Sequence, residues 1–376
     1  MFLTGLAHPT SQLYSFKTIK SCRAEPRGLL ARVACGEPVL SLLSPPLRPQ
    51  PVVLPHAPSR RQQQLAPSRY LKLTHHLKDM HQRLRTSPTP ALLQADFLEQ
   101  INLEYGRHLL STEAQLQYLA MHLAYFLLPI GQILQLGPNT RYRVEETFVD
   151  RLTGCSAYRL LPLTVAGRRS TEPAIVVYRG TALGMAADRL LRAGHPTCLA
   201  SDFDPRFMGC AAFDPCSAPA QKLTAWLVAA GKAGQPILLT GFSFGGLLAI
   251  GLLSHQPAAL QALTQVHAFG TPATDPGTVA RLSSQAKINV WRHRRDVLTK
   301  AGHALPPHAR LHLARTPAYL HRWNPHSLAF LVAAELDNEQ PAAHIDTHAA
   351  RPSDQWPLLE AARQWVGRLL QQILPD

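Results

Sequence analysis

Residues 236–250 read PILLTGFSFGGLLAI, and the centre of this stretch fits the pattern G-x-S-x-G from Gly241 to Gly245. The apolar run before the pattern predicts a buried strand at 236–240, and the apolar run after it predicts a helix at 247–253. A strand that turns sharply into a helix projects the serine side chain alone, and its neighbours pack so closely that only glycine fits beside it. The stretch predicts that Ser243 is a nucleophile in strained backbone geometry; the alternative is an ordinary glycine-rich turn.

The rest of the chain alternates between short apolar runs and helical patterns. A hairpin is predicted at 142–163, where Thr153-Gly154 makes the turn. The other predicted elements are helices at 220–230 and 356–374 and strands at 174–178, 265–269, 287–291 and 310–313. Strands that alternate with helices predict an α/β fold, with a mostly parallel central sheet covered by helices on both faces. With the serine turn included, the pattern is α/β-hydrolase-like.

The N-terminal part of the chain differs in composition from the rest. Residues 1–70 are rich in proline and hold nine Lys or Arg against two Glu, half of the formal net charge of +14. This composition predicts an irregular leader or linker, followed by one domain at 71–376 that opens with helices at 71–136. The basic charge favours peripheral contact with an anionic phospholipid surface, and the alternative is a tail that keeps the protein in solution.

One apolar stretch has about the length of a bilayer span. No Asp, Glu, Lys or Arg occurs from Ala114 to Thr140, and residues 118–136 are rich in Leu, Ala and Tyr. The same stretch contains His122, Pro129 and Gln132. Because spanning segments rarely carry so many polar groups, we expect a buried or interfacial helix and not a transmembrane one.

Several classes of site are disfavoured by the composition. The six cysteines form no C-x-x-C pair, so a structural zinc site is not expected. There is no zinc-finger spacing and no basic motif interleaved with aromatic residues, so nucleic acid is not an expected partner. Residues 1–20 lack the apolar block of a secretory signal, and the compartment stays open.

A serine nucleophile needs a base, and the base needs an acid that orients it. In α/β-hydrolases the order along the chain is Ser, acid, His. Asp296 follows the predicted strand at 287–291; Asp275 is the alternative acid, and ion pairing with a nearby arginine is the alternative role of Asp296. His326 lies at a predicted loop-to-helix junction, but spacing alone does not select it among the histidines that follow Asp296: His303, His308, His312, His321, His326, His344 and His348.

Five segments together resemble one family, the class 3 or fungal-type lipases. They are Ile175–Thr181, ending in Arg-Gly-Thr; Gly241–Gly246; Phe269-Gly270-Thr271-Pro272; Asp296-Val297 with Leu305-Pro306-Pro307; and His326-Ser327-Leu328. The resemblance runs from Pro173 to Phe330. It implies Ser243, Asp296 and His326 as a catalytic triad, with Thr181 and Phe244 as oxyanion-hole donors.

The chain departs from the pattern of that family at several places. Phe242 and Phe244 stand where the family has His and Leu, and residues 298–304 are inserted between the acid and Leu-Pro-Pro. Residues 182–191 lack the Trp with which the lid of fungal lipases often begins. Residues 202–219 have no clear counterpart and are expected to form a cap or a wall of the substrate site.

The resemblance implies a serine lipase or esterase that hydrolyses carboxylic esters of lipids, phospholipid or acylglycerol, through an acyl-enzyme. No metal or organic cofactor is expected. Two alternatives stay open on the sequence. One is a non-catalytic α/β-hydrolase-like module that binds lipid or protein, and the other is an acyltransferase that uses the same triad.

Overall fold

The computed structural model describes residues 68–151, 153–163, 172–182, 184–195, 214–271, 276–296, 299, 305–314, 326, 329–337 and 345–349. The C-terminal helix predicted at 356–374 and most of the predicted leader lie outside the described residues. The first described helix begins at Arg69, two residues before the predicted boundary at 71. It begins there because the hydroxyl of Ser68 accepts a hydrogen bond from the amide of Leu71 at 3.1 Å, an N-cap that the leader prediction missed.

Nine strands in the described part of the chain form one sheet, in the same order as in the sequence. Strands β4 to β8 pair in parallel, whereas β1, β2, β3 and β9 pair antiparallel at the two flanks. The strands are β1 (Ile133–Gln135), β2 (Arg141–Val149), β3 (Ser156–Pro162), β4 (Ala174–Tyr178), β5 (Ile237–Phe242), β6 (Thr264–Phe269), β7 (Lys287–His293), β8 (Arg310–Ala314) and β9 (Ile345–Ala349).

The described helices lie on both faces of the sheet. They are α1 (Arg69–Thr86), α2 (Pro90–Glu104), α3 (Thr112–Met121), α4 (Gly184–Arg192), α5 (Ala218–Ala233), α6 (Phe244–Ser254), α7 (Ala258–Ala262), α8 (Pro276–Arg281) and α9 (Phe330–Leu336). Together with the sheet they confirm the predicted α/β class. The hairpin predicted at 142–163 is also confirmed as β2 and β3, with Gly154 at φ 72° in the turn.

The two faces of the sheet belong to two separate hydrophobic clusters. In β4, Ile175 and Val177 pack with helices α1 to α3 and α9, whereas Ala174, Val176 and Tyr178 pack with α5 and α6. This alternation follows from the strand, because successive side chains point to opposite faces. Helices α5 and α6, which connect and follow the parallel strands, cover one face of the sheet. The N-terminal helices cover the other face together with α9, and α4 packs against α1.

The apolar stretch at 118–136 is not a single helix, so that part of the prediction was wrong, although most of its apolar side chains are buried as expected. Helix α3 ends at Met121, a 3₁₀ turn follows at Leu123–Tyr125, and the chain then enters β1. Pro129 and Gly131, the latter at φ 89°, interrupt the helical pattern between them. Within the described ranges, no helix is both long enough and apolar enough to cross a bilayer.

Burial of the imidazole lowers the pKa of several histidines in the described domain, most strongly at His81, His122 and His267. Burial lowers the pKa of His122 to about 4, because the imidazole lies between the rings of Tyr70 and Tyr118. The same cause lowers the pKa of His81 to about 3 and that of His267 to about 4. All three are neutral in the folded protein at neutral pH.

The buried His122 should make the fold sensitive to acid. Its unfolded pKa is near 6.5 and its folded pKa about 4, so between these values the unfolded chain binds the extra proton and the free energy of unfolding falls as pH falls. We expect His122→Phe to give a shallower pH dependence in this window, measured by denaturant unfolding at a series of pH values. His75→Phe, on the exposed side of α1, is the control and should keep the wild-type slope. Equal slopes for His122→Phe and wild type would contradict this.

Candidate active site

Ser243 lies at the junction between β5, which ends at Phe242, and α6, which begins at Phe244. Its backbone has φ 55° and ψ −123°, and among the described residues no other non-glycine residue has a positive φ. Such a conformation costs about 1–3 kcal/mol and persists only where the surroundings enforce it. The Ser243 amide donates to the carbonyl of Phe269 at 2.8 Å, which ties the turn to the neighbouring strand β6. The strained geometry predicted from the sequence is therefore present.

The glycines around Ser243 allow three segments of backbone to meet. A Cβ atom on Gly241 would clash with the backbone of Gly245, and a Cβ on Gly245 would clash with the carbonyl of Tyr178 at the end of β4. Both positions were predicted to require glycine. Gly246, which would clash with the Thr271 side chain, and Gly180, which would clash with the Phe242 carbonyl, have the same requirement and were missed.

Three predicted side chains come together at the carboxyl ends of the strands. Ser243 Oγ lies 3.0 Å from His326 Nε2, and His326 Nδ1 lies 2.8 Å from Asp296 Oδ2. The Asp296 side chain is 1% exposed and that of His326 is 13% exposed. The imidazole thus bridges a buried carboxylate and a serine hydroxyl. Such a row can move the hydroxyl proton onto Nε2 while the carboxylate holds the proton on Nδ1.

Asp296 is held in a short loop directly after β7. Its amide donates to the carbonyl of His293 at 3.0 Å, and the Thr299 hydroxyl donates to the carbonyl of Asp296 at 3.0 Å. The arginine at 294, one of the alternative ion-pair partners, pairs with Asp346. The alternative acid at 275 lies outside the described residues.

Another of the candidate histidines has a different environment. His312 stacks on Trp291 with ring centroids 3.8 Å apart, and its ring nitrogens lie within hydrogen-bond distance of Asn289 and Thr347. His303, His321 and His344 lie outside the described residues. Of the histidines whose position is described, His326 is the one hydrogen-bonded to Ser243.

Phe242 supports the imidazole of His326, a contact that was not predicted from the sequence. The two ring centroids are 5.0 Å apart at an interplanar angle of 37°. Gly270 leaves room for this pair: its φ is 56°, and a Cβ there would lie 2.9 Å from the Phe242 ring and 3.6 Å from His326 Cε1. Both residues are visible in the sequence, as an aromatic residue next to the serine and a glycine after β6. Neither residue type indicates which side chain it contacts, so the contact could not be predicted.

Two predicted oxyanion-hole donors lie beside the serine turn. Phe244 is the first residue of α6, and amides in the first turn of a helix have no acceptor within the helix. Thr181 follows Gly180, whose amide lies 2.9 Å from where a Cβ on Gly245 would be. The segment after β4 thus passes the start of α6. Amides near a helix N-terminus favour a negative charge placed between them.

Helix α4, which follows Thr181, is anchored to the N-terminal helices by the buried Arg189. One guanidinium nitrogen donates to Gln94 Oε1 at 2.6 Å, another donates to the carbonyl of Tyr125, and the group lies 5.1 Å from the Phe126 ring centroid. Burial lowers the pKa of Arg189 to about 10. Of the expected cap at 202–219, residues 202–213 lie outside the described part, and the remainder leads into α5 with Ser217 as its N-cap.

Within the described ranges, no group of three or more His, Cys, Asp or Glu side chains is arranged to hold a metal ion.

The chain is similar to solved structures of fungal lipases. One is a lipase from Rhizopus microsporus var. chinensis, with 13% identity and a TM-score of 0.36 over 65% of this chain and 79% of that one. Another is the Rhizomucor miehei lipase–propeptide complex, with 14% identity and a TM-score of 0.31 over 57% of this chain and 63% of that one. A third is a mutant form of MDLA from Penicillium cyclopium, with 15% identity and a TM-score of 0.39 over 55% and 79%. No family model and no curated protein matches the chain.

The space at Gly270 can be tested with a matched pair of glycines. Gly234 also has a positive φ, 64°, but nothing lies within 4 Å of a Cβ built there. Gly234→Ala should lower the free energy of unfolding by about 1 kcal/mol through backbone strain alone. Gly270→Ala should lower it by about 1–3 kcal/mol more, because the methyl group also meets the Phe242 ring. Denaturant unfolding measures both, and equal losses would contradict the packing described for Phe242 and His326.

Proposed function

We propose that this chain is a serine hydrolase that cuts carboxylic esters of lipids. The single observation that carries the proposal is the hydrogen-bonded row from Ser243 through His326 to the buried Asp296. The strained backbone at Ser243 supports it, because a costly conformation at one residue is more often maintained for chemistry than for packing.

In the proposed mechanism, His326 Nε2 takes the hydroxyl proton of Ser243 as Oγ attacks the ester carbonyl. Asp296 fixes the tautomer with the proton on Nδ1 and stabilises the imidazolium that forms. The amides of Phe244 and Thr181 face the oxyanion; such donors contribute about 3 kcal/mol each. The imidazolium then protonates the leaving alcohol, and water, activated by the same imidazole, releases the acid from Ser243.

Lipid esters are the proposed substrate class. The site is flanked by the half-buried Phe242 ring, and the chain carries a formal net charge of +14. An apolar group beside the imidazole suits an acyl chain, and a basic protein is attracted to an anionic lipid surface. Phospholipid and acylglycerol both meet these conditions, and a panel of substrates distinguishes them.

Replacing the nucleophile tests the proposal. Ser243→Ala should lower kcat by about 10⁴-fold or more on p-nitrophenyl esters of graded acyl length, on phospholipid and on triacylglycerol, because it removes the hydroxyl on which the proposed acyl-enzyme forms. Ser254→Ala is the control: this serine is buried and lies at the end of α6, where its hydroxyl donates to the carbonyl of Gly251 at 2.7 Å. The control should keep wild-type kcat. If wild type cleaves none of these substrates and both proteins bind lipid vesicles, the non-catalytic binding module replaces the hydrolase.

The orienting acid makes a second test. Asp296→Asn should lower kcat by about 10⁴-fold, because the amide stabilises the wrong tautomer of His326. Asp346→Asn removes a carboxylate that pairs with Arg294 at the surface, and should leave kcat unchanged. Adding Asp296→Asn to Ser243→Ala should cause little further loss, since residues that act as a unit are not additive. Full additivity would mean that the two residues act separately.

A further inference from the structure

Helix α9, Phe330–Leu336, begins four residues after His326 and does not cap its own start. Its N-cap residue is Ala329, which has no side-chain acceptor for the first amides of the helix. A helix of seven residues is also too short to persist alone in water. The position of this helix therefore depends on groups from other parts of the chain.

Those groups come from the N-terminal helical layer. Gln117 of α3 is fully buried, and its Oε1 accepts hydrogen bonds from the amides of Leu331 at 2.8 Å and Val332 at 3.3 Å. Gln117, more than two hundred residues away in the chain, thus accepts the hydrogen bonds that an N-cap side chain would accept at the start of α9. The Nε2 atom of Gln117 is buried and has no hydrogen-bond partner among the described residues. The contact of this side chain with α9 is therefore made through its oxygen.

Tyr70 of α1 contacts both ends of α9. Its hydroxyl accepts a hydrogen bond from the amide of Ala329 at 3.3 Å, and its own amide donates to Asp337 Oδ1 at 3.1 Å. The side chain is fully buried, and burial raises the pKa of its hydroxyl well above the usual value, so it stays a neutral partner. One residue of α1 thus holds the residues that flank α9 on either side.

A third tie fixes the outer side of the same helix. The Glu335 carboxylate accepts hydrogen bonds from the amides of Leu110 at 2.6 Å and Ser111 at 3.1 Å, and from the hydroxyl of Ser111. Ser111 is the N-cap of α3, the helix that carries Gln117. The contacts at Tyr70, Gln117 and Ser111 therefore bind α9 to a single layer of helices.

We propose that this N-terminal layer positions the catalytic histidine, with Tyr70 and Gln117 as positioning residues for His326. Both residues contact α9 or the residues that flank it. Ala329 is three residues from His326 in the chain, so we expect a shift of its amide to displace the imidazole as well. This inference rests on the proposed hydrolase function for its kinetic consequence, but the geometry of the imidazole can be observed without it.

Two pairs of variants separate positioning from general stability. Tyr70→Phe removes the acceptor for Ala329, whereas Tyr118→Phe removes an equally buried hydroxyl of the same layer that bonds to Asn102 at 3.4 Å and not to α9. Gln117→Met removes the oxygen that serves α9 at similar volume, whereas Gln117→Glu keeps an acceptor there. A carboxylate near the first amides of a helix is favourable, which offsets part of its burial.

The expected result is a loss in kcat with KM nearly unchanged. A displacement of the order of 1 Å at a reacting group lowers the rate by about 10²-fold, so we expect about a tenfold loss for Tyr70→Phe and about a hundredfold loss for Gln117→Met. Gln117→Glu should recover most of the loss, and Tyr118→Phe should keep wild-type kcat even if it is less stable. Ester hydrolysis at temperatures well below the unfolding midpoint of each variant measures this.

The second readout is the NMR resonance of the proton on His326 Nδ1, which lies in the hydrogen bond to Asp296. It should shift or exchange faster in Tyr70→Phe and Gln117→Met, and stay in place in Tyr118→Phe. If wild type hydrolyses no ester but this pattern holds, the positioning inference stands and the proposed function fails. If wild type is active and Tyr70→Phe and Gln117→Met match Tyr118→Phe in kcat and in this resonance, the inference is overturned. An inactive wild type with an unchanged resonance in all variants would overturn both.

Discussion

The backbone of Ser243 is held in a conformation that residues other than glycine avoid. The contacts that enforce this conformation also fix the arrangement of the central strands. The turn is possible because the ends of β4 and β5 and the start of α6 approach within contact of one another, which only glycine at 180, 241 and 245 allows. The hydrogen bond from the Ser243 amide to the Phe269 carbonyl then fixes this turn against β6. A strained serine thus requires three closely packed strands, and those strands in turn require both hydrophobic layers that cover the sheet.

The other two groups of the site depend on different parts of the fold. Asp296 is placed by a short turn at the end of β7, through hydrogen bonds to its neighbours in sequence. His326 is placed by long-range contacts: by Phe242 against one side of its ring, and by the N-terminal helices acting through α9. Of the three catalytic groups, the imidazole is therefore the one whose geometry is most sensitive to changes far from the site.

The features held by local contacts could be predicted from the sequence, whereas those held by long-range contacts could not. The strands predicted at 174–178 and 236–240, the helix after Ser243 and the acid after β7 have local signals, namely apolar runs, glycine spacing and a loop directly after a strand. Strand β1 was missed because three residues within an apolar stretch carry no period that distinguishes a strand from a helix. The contact between Tyr70 and Ala329 was missed because it joins residues 259 positions apart, and no local pattern reports such a pairing.

The proposed chemistry depends above all on Ser243 being a nucleophile that His326 activates. The most direct measurement is mass spectrometry of the protein after reaction with a p-nitrophenyl alkylphosphonate, which phosphonylates an activated serine and releases nitrophenol. We predict a single adduct on the peptide that contains Ser243 in wild type, and a strongly reduced rate of adduct formation in His326→Ala. No adduct on wild type, or an adduct on another residue that forms equally fast in His326→Ala, would contradict this activation.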